Sequence, residues 1–264
     1  MKTKIYQIDA FTDKLFGGNP AAVCPVEVWP ADEVLLNIAI ENNLAETAYF
    51  KKLPDNKFHL RWFTPELEMD LCGHATLASA YVIFNELGYA GDEIIFQTRS
   101  GLLTVKKDRG FLEMDFPSRP AQKVELPNLI SQGLNIQPTE TWKARDYLLV
   151  YESEKDINSI VPNLAILNQL DLGPGGIIVT AMGAAEDVDF VSRFFTPGAA
   201  VFEDPVTGSA HCTLVPYWAE RLNKTTLKAL QVSARGGELW CQLLGDRVSI
   251  KGKAVKYMEG VIEL

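Results

Sequence analysis

The pattern of hydrophobic and polar positions predicts many short strands and three long helices. Alternating runs, or short apolar runs between turn residues, predict strands at residues 4–11, 44–50, 58–63, 94–98, 102–107, 111–116, 147–151, 177–181, 190–195, 238–243, 247–251 and 254–264. Helical periodicity predicts helices at residues 29–43, 75–87 and 210–222. Gly88 is expected to close the second helix, and Pro216 is expected to kink or shorten the third.

A repeated motif divides the chain into two similar halves. Arg61 opens the sequence R-W-F-T-P and Arg193 opens R-F-F-T-P, 132 positions apart, which is half of the 264 residues. After each copy a glycine-led segment precedes an apolar helix, first at Gly73 and again at Gly208, 135 positions apart. Because strand, turn, glycine and helix follow in the same order in both halves, we expect an internal duplication.

The duplication predicts an α+β fold of two pseudo-symmetric lobes, each a barrel-like, mostly antiparallel sheet around a central helix. A helix that is apolar on most sides has to be enclosed, here by the sheet of its own lobe. Residues 117–127 contain three prolines, which suggests that the boundary between the two lobes lies there. We therefore expect an N-terminal lobe at residues 1–117 and a C-terminal lobe at residues 118–264, with the active site in the cleft between them.

Composition and charge narrow the class of protein. The 25 Lys+Arg and 34 Asp+Glu residues give a formal net charge of −9, which argues against a nucleic-acid partner. No apolar run approaches the roughly 18 residues of a membrane span. Residues 1–11 alternate like a strand and carry Asp9, unlike a signal peptide. The four cysteines form no close pair, so reduced, buried thiols are expected rather than disulfides or zinc sites. A cytoplasmic protein without a membrane partner is the expectation.

The two glycine-led helix starts are candidate anion sites. A helix N-terminus presents unpaired N–H groups and the positive end of the macrodipole. Gly73 and Gly208 would let a ligand approach the backbone closely. If both starts face one cleft, a carboxylate could be held from two sides without a metal ion. A capping or turn role is the alternative for either glycine alone, whereas their matching places in the repeat favour a ligand site.

Glu46 is the candidate general acid/base. It lies in the stretch L-A-E-T-A-Y-F at residues 44–50, where both faces of the predicted strand are largely apolar. Burial favours the neutral carboxyl, a form that suits general acid–base chemistry. A structural glutamate, paired with an arginine or placed at a strand end, is an equally weighted alternative.

Three further polar residues accompany the helix starts. His74 and Ser209 occupy equivalent positions of the repeat, in the first turn of each helix, whereas Asp204 precedes a proline that favours extended backbone. Cap and turn roles are their alternatives. His59 and His211 lack such support, and the histidines form no H-E-x-x-H motif, so no metal is expected.

Together these motifs resemble the PhzF-like (phenazine biosynthesis-like) isomerase family of the diaminopimelate epimerase-like superfamily. The matching motifs are D-A-F-T at 9–12, G-N-P-A-A-V at 18–23, L-A-E-T-A at 44–48, F-T-P at 63–65, C-G-H-A-T-L-A at 72–78, E-D-P-V-T-G-S-A-H at 203–211 and R-G-G-E-L at 235–239. The resemblance implies the two-lobed superfamily fold, in which the last strand, 254–264, joins the first lobe. It also implies a homodimer that acts without metal or organic cofactor.

The resemblance also implies roles for individual residues. The catalytic positions of the family fall on Glu46, His74, Asp204 and Ser209. The region that binds the substrate carboxylate falls on Gly73 and Gly208, with Cys72 beside it.

These features predict a cofactor-independent isomerase that moves a proton at carbon of a small, anionic, carboxylate-bearing metabolite. One alternative is a non-catalytic metabolite-binding or scaffold protein on the same fold. A second is a Cys72-dependent racemase, since epimerases and racemases of the superfamily use two cysteines, one in each lobe. Thr207 stands at the repeat equivalent of Cys72, which disfavours a two-thiol mechanism.

Overall fold

The structure, a computed structural model, describes residues 2–173 and 175–263. The chain forms two compact units, unit 1 with residues 1–116 and 250–264 and unit 2 with residues 117–249. The chain thus enters unit 2 after Phe116 and returns to unit 1 at Ile250. Met1, and Leu264 at the end of the predicted last strand, lie outside the described residues. Within the described ranges, no helix has both the length and the apolarity to cross a membrane.

Unit 1 is built mainly from strands. Its strands are β1 (Lys2–Ala10), β2 (Asn19–Pro25), β3 (Glu46–Lys52), β4 (Lys57–Phe63), β5 (Glu68–Met69), β6 (Glu93–Thr98), β7 (Gly101–Asp108), β8 (Phe111–Pro117) and, at the end of the chain, β18 (Ala254–Glu263). Its helices are α1 (Asp32–Asn42) and α2 (Gly73–Tyr81), the latter continued by a π-helical turn (Val82–Glu86).

Unit 2 repeats this organisation with additional short helices. Its strands are β9 (Gln122–Lys123), β10 (Glu140–Lys143), β11 (Tyr147–Val150), β12 (Ile177–Met182), β13 (Phe190–Phe195), β14 (Glu203–Asp204), β15 (Thr226–Gln231) and β16 (Gly237–Leu244), followed by β17 (Arg247–Gly252), which leads into unit 1. Its helices are α3 (Asn128–Gly133), α4 (Glu154–Ser159), α5 (Leu164–Leu167) and α6 (Gly208–Leu222).

The strands of the two units pair in the same order. In unit 1, β2 runs parallel to β3, β3 antiparallel to β4, and β4 parallel to β6, which pairs antiparallel with β7. In unit 2, β11, β12, β13, β15 and β16 repeat this series of parallel and antiparallel pairings. The short strands β5 and β14 add antiparallel to β4 and β13. The predicted α+β class and the internal duplication are therefore confirmed.

The repeated R-aromatic-F-T-P motif has the same local structure in both units. Nε and Nη2 of Arg61 donate to the two carboxylate oxygens of Glu68 at 2.7 and 2.8 Å. Arg193 makes the same bidentate pair with Glu203 at 2.8 and 2.9 Å. Each guanidinium also lies over the ring of the phenylalanine two positions later, 5.1 and 5.0 Å from the ring centroid. In each unit the arginine of the motif thus binds the glutamate of the short strand that precedes the glycine-led helix, β5 in unit 1 and β14 in unit 2.

Helix α2 is the central helix of unit 1. Residues 73–80 are all buried, and the helix packs against β1, β2, β3 and β18. Its last part widens into the π-helical turn, where the N–H of Leu87 bonds to the carbonyl of Val82. Gly88 follows with a φ of +66°, the left-handed conformation expected of a residue that closes a helix.

Helix α6 holds the equivalent place in unit 2 and packs against β15 and β16. It runs through Pro216 to Leu222, so the expected shortening does not occur. Proline offers no N–H to the carbonyl of Cys212, four residues earlier. That carbonyl accepts instead from the backbone N–H of Arg119 at 2.8 Å, so it keeps a hydrogen bond despite the proline.

Several predicted boundaries are wrong by a few residues. Helix α1 begins at Asp32 rather than at 29, because a residue before a proline, here Trp29, is biased away from helical backbone. Strand β3 begins at Glu46 rather than at 44, after Asn43 ends α1 in a left-handed conformation (φ +48°). Helices α2 and α6 begin two residues earlier than predicted, at the glycines themselves.

Candidate active site

Glu46 and His74 meet within unit 1. Glu46 opens β3, and His74 lies in the first turn of α2. Oε2 of Glu46 is 3.0 Å from Nε2 of His74, and the two side chains are 14% and 5% exposed. The two side chains form an ion pair when the ring is protonated. Neither atom has a hydrogen-bond partner among the described residues. Buried polar atoms usually have one, so this pair is a strong candidate for function.

The other edge of the His74 ring faces two further side chains. Nδ1 lies 3.1 Å from Nδ2 of Asn19 and 3.5 Å from Sγ of Cys72. Asn19 is completely buried at the start of β2, and Cys72 is the extended residue that directly precedes α2. The imidazole is therefore held on both edges, by Glu46 on one side and by Asn19 and Cys72 on the other.

Burial and the contacts among Glu46, Cys72 and His74 determine which of these side chains carry a charge. Burial raises the pKa of the Cys72 thiol to about 11, with a further contribution from the Glu46 carboxylate, so the thiol keeps its proton at neutral pH. Burial alone would lower the pKa of His74, but the Glu46 carboxylate beside it favours the protonated ring and keeps this pKa well above 6.5.

Glu46, Cys72 and His74 are also residue types that bind transition metals, and their ligand atoms lie within 4.8 Å of one another. Cys72 and Glu46, however, contact opposite nitrogens of the same imidazole. The lone pairs of these two nitrogens point away from each other, so one ion cannot bind all three residues in this arrangement. The geometry suits proton transfer better than metal binding.

In unit 2, the segment before α6 is tied to β15. The carboxylate of Asp204 accepts a short hydrogen bond from the hydroxyl of Thr207, which directly precedes α6. Gln231 on β15 donates to the backbone carbonyl of Asp204 at 2.7 Å and accepts from the backbone N–H of Thr207 at 2.8 Å. These bonds fix the turn between β14 and the helix start at Gly208.

Ser209 contacts a cation in the first turn of α6. Nη2 of Arg145 donates to the Ser209 hydroxyl oxygen at 3.0 Å. The guanidinium is oriented by Asp146, whose fully buried carboxylate also accepts from the N–H of Gly176 at 2.8 Å. Because its oxygen accepts from arginine, the Ser209 hydroxyl can turn its own hydrogen toward a ligand. The helix start favours the binding of an anionic group at this place, and so do the Arg145 guanidinium and the Ser209 hydroxyl.

The predicted site residues thus fall into two groups. Unit 1 brings together Glu46, Cys72, Gly73 and His74. Unit 2 places Asp204, Gly208 and Ser209 around the start of α6, where Asp204 and Ser209 have different partners. That the two groups serve one substrate stays a prediction, as do the homodimer and the cytoplasmic location.

Sequence reasoning missed the side chains that support these residues, namely Asn19, Arg145, Asp146 and Gln231. Asn19 lies in the G-N-P-A-A-V motif, which was a usable signal. The other three lie in no motif of the repeat, and Arg145 and Gln231 act on residues that are 64 and 24 positions away along the chain.

Comparison with known proteins first defines the class of fold. A hydroxyproline epimerase from Agrobacterium vitis aligns with a TM-score of 0.62 over 99% of this chain and 92% of that chain, at 9% identity, which is a likeness of fold alone. The crystal structure of a PhzF-family phenazine biosynthesis protein from Enterococcus faecalis aligns over 100% of both chains, with a TM-score of 0.95 and 45% identity.

Sequence comparison then gives the family. The sequence model of the phenazine biosynthesis-like protein family, PhzC-PhzF, matches residues 8–260. A protein of Pseudomonas aeruginosa named as an uncharacterized isomerase is 48% identical over 100% of both chains. The chain belongs to the phenazine biosynthesis-like family, and the resemblance seen in its motifs is confirmed.

Proposed function

We propose that the protein is an isomerase that moves a proton at carbon of a small carboxylate-bearing metabolite, with Glu46 as general acid/base and without a metal or organic cofactor. The observation that carries this proposal is the 3.0 Å approach of Glu46 Oε2 to His74 Nε2, both atoms buried and lacking a hydrogen-bond partner among the described residues. An acid placed in this way is able to exchange a proton with a bound substrate. The isomerase relative at 48% identity supports the reaction class.

In the proposed reaction, the Glu46 carboxylate removes a proton from a carbon next to an electron-withdrawing group. The electron pair of the broken C–H bond moves into that group and gives an enolate-like anion. The Glu46 carboxyl, or a second acid, then returns a proton to another position, so the product is an isomer of the substrate and no electrons are gained or lost. His74 supplies positive charge beside the reacting carboxylate, because the neighbouring Glu46 carboxylate keeps its pKa well above 6.5 despite burial.

The unit 2 residues have proposed roles in binding and proton relay. Ser209, supported by Arg145, would bind the substrate carboxylate, together with the backbone N–H groups of the helices that start at Gly73 and Gly208. Asp204 would relay a proton, and its carboxylate is already held in a hydrogen bond by Thr207.

The test is solvent deuterium incorporation. The protein is incubated in D₂O with a panel of cyclic and amino-acid carboxylates, and loss of a C–H signal is followed by proton NMR. We expect labelling of at least one class, and a loss of about 10²-fold or more in the Glu46→Gln variant, the usual contribution of a general acid/base. Saturation-transfer NMR should show that the variant still binds the same compound.

The matched control is Glu41→Gln, which changes an exposed glutamate of α1 and should label at the wild-type rate. Dialysis against EDTA should also leave the rate unchanged. Labelling at the wild-type rate in the Glu46→Gln variant would overturn the assignment of Glu46 as the base. Binding of carboxylates without labelling of any of them would favour the non-catalytic alternative.

A further inference from the structure

Asn19 lies against the edge of the His74 ring that faces away from Glu46. Its Nδ2 is 3.1 Å from Nδ1 of the ring, and the residue is 0% exposed. An amide nitrogen donates hydrogen bonds and cannot accept them. In the neutral imidazole, a ring nitrogen at this distance from the amide therefore accepts, and the single proton of that ring lies on Nε2.

Cys72 supplies a second donor to the same nitrogen. Its Sγ lies 3.5 Å from Nδ1, and burial keeps the thiol protonated because its pKa is about 11. The S–H group is a weak donor, yet it acts in the same sense as the amide. Among the residues that the structure describes, the ring nitrogens thus contact Glu46 from β3, Asn19 from β2 and Cys72 from the segment before α2.

The backbone holds the Asn19 side chain in place independently of the histidine. Gly18 has a φ of +63°, and a Cβ at this position would lie 2.1 Å from the carbonyl oxygen of Ala10. Only glycine satisfies both conditions, so the close approach of the backbone to Ala10 directly before Asn19 requires Gly18. Asn19 also pairs with Ala10 in the β1–β2 ladder, which fixes the face of the strand on which its side chain lies.

We propose that Asn19 is a positioning residue for His74: in the neutral ring it keeps Nδ1 as an acceptor and so places the proton on Nε2, 3.0 Å from Oε2 of Glu46. The opposite tautomer would set the Nε2 lone pair against the carboxylate. For catalysis, the inference rests on the function proposed above, because it makes His74 a donor beside the acting base. The tautomer of the neutral ring can be measured in the protein without substrate, at a pH above the pKa of His74.

The first experiment measures the tautomer by nitrogen NMR of protein labelled with ¹⁵N-histidine. The three histidines are assigned with His59→Gln and His211→Gln. At a pH above the pKa of His74, we expect an unprotonated Nδ1 and a protonated Nε2. A predominant Nδ1–H form, or an equal mixture, would overturn the inference even if carbon labelling succeeds. Failure of carbon labelling with the Nε2–H form present would overturn only the proposed function.

The second experiment uses Asn19→Asp, which replaces a donor by an acceptor of nearly the same shape. We expect the neutral ring to switch to the Nδ1–H form, or the pKa of His74 to rise by about one unit or more, as a carboxylate at this distance causes. The pH dependence of deuterium labelling should shift together with the pKa of His74. The matched control is Thr3→Val, which removes another side-chain hydrogen bond in unit 1, to the carbonyl of Pro25.

The control should leave the His74 signals and the pH profile unchanged. Unchanged His74 signals in Asn19→Asp would also contradict the inference. If that variant does not fold, the tautomer of the wild-type protein decides the question.

Discussion

Nε2 of His74 lies 3.0 Å from Oε2 of Glu46, on the opposite edge of the ring from the Cys72 thiol. This arrangement gives the two candidate proton carriers different environments. Oε2 of Glu46 has no hydrogen-bond partner among the described residues, whereas the Cys72 thiol is buried and in contact with Nδ1. The carboxylate is therefore the better candidate for proton exchange with a substrate, and the thiol acts on the ring.

The Cys72→Ala variant should distinguish a glutamate-based isomerase from a Cys72-dependent racemase. We expect it to retain deuterium labelling within about tenfold of the wild type, because it leaves the acting base in place and removes only a weak hydrogen bond to His74. A loss as large as that of Glu46→Gln would instead support the racemase. Mass spectrometry of native protein treated with iodoacetamide at pH 7.5 gives an independent check: Cys72 should react slowly, because it is buried and burial raises its pKa to about 11.

Arg145→Met should weaken substrate binding with little effect on turnover. The change removes a charge-assisted contact with the Ser209 hydroxyl, worth about 1.5–3 kcal/mol, which corresponds to a rise in KM of roughly 10- to 100-fold. Steady-state kinetics on the compound identified by labelling provides the measurement. Lys143→Met is the control, because it removes an exposed cation nearby on β10. An equal rise in KM in both variants would mean that substrate binding depends on the overall positive charge of this region and not on the contact between Arg145 and Ser209.

The two copies of the repeated arginine should differ in their contribution to stability. Nη1 of Arg193 donates to the carbonyls of Ile157 and Ile160 at 3.1 and 2.8 Å, which Arg193→Met would leave without this partner. Nη1 of Arg61 donates instead to the exposed carboxylate of Asp32.

We expect Arg193→Met to lower the free energy of unfolding by about 3 kcal/mol. The loss caused by Arg61→Met should be smaller than this by about 1–2 kcal/mol. Glu68 also keeps a second cation, Arg99, at 3.3 Å when Arg61 is removed. Urea unfolding followed by circular dichroism measures both. Equal costs for the two variants would contradict the importance of the carbonyl contacts.

His211 should make the protein less stable in mild acid. Burial lowers its pKa from 6.5 to about 4, although its hydrogen bond with the carbonyl of Thr207 opposes this. The unfolded chain therefore binds a proton at a higher pH than the folded chain does. The contribution to stability, about 3 kcal/mol for a shift of this size, is complete above pH 6.5 and is lost as the pH falls toward 4.

The measurement is the pH dependence of the free energy of unfolding, compared between wild type and His211→Gln. The slope between pH 6.5 and 4 should be smaller in the variant, whatever its absolute stability. His59→Gln, which changes a half-buried histidine on β4, should alter the slope less. His74 does not interfere in this window, because its raised pKa stabilises the folded chain below pH 6.5 and loses that effect only at higher pH.

The short range of the interactions explains why much of the fold was predictable. Arg61 and Glu68 are seven positions apart, and Arg193 and Glu203 are ten positions apart, so each copy of the motif folds through contacts within its own segment. Strand β2 was not predicted, because the Gly18-Asn19-Pro20 sequence is typical of a turn. The strand is held by its pairing with β1 and β3, which the local pattern does not contain.

The sequence by itself determined the duplication, the two glycine-led helix starts and the residue types at the site, since these depend on spacing and on local backbone preferences. It left open whether Glu46 would pair with an arginine. Only the tertiary structure decided that its partner is His74, that Asn19 lies against the far edge of that ring, and that Arg145 lies on Ser209, 64 positions away. The physical reason is that hydrogen bonds and ion pairs depend on distances of about 3 Å between atoms, and strand pairing and helix packing bring together residues that lie far apart along the chain.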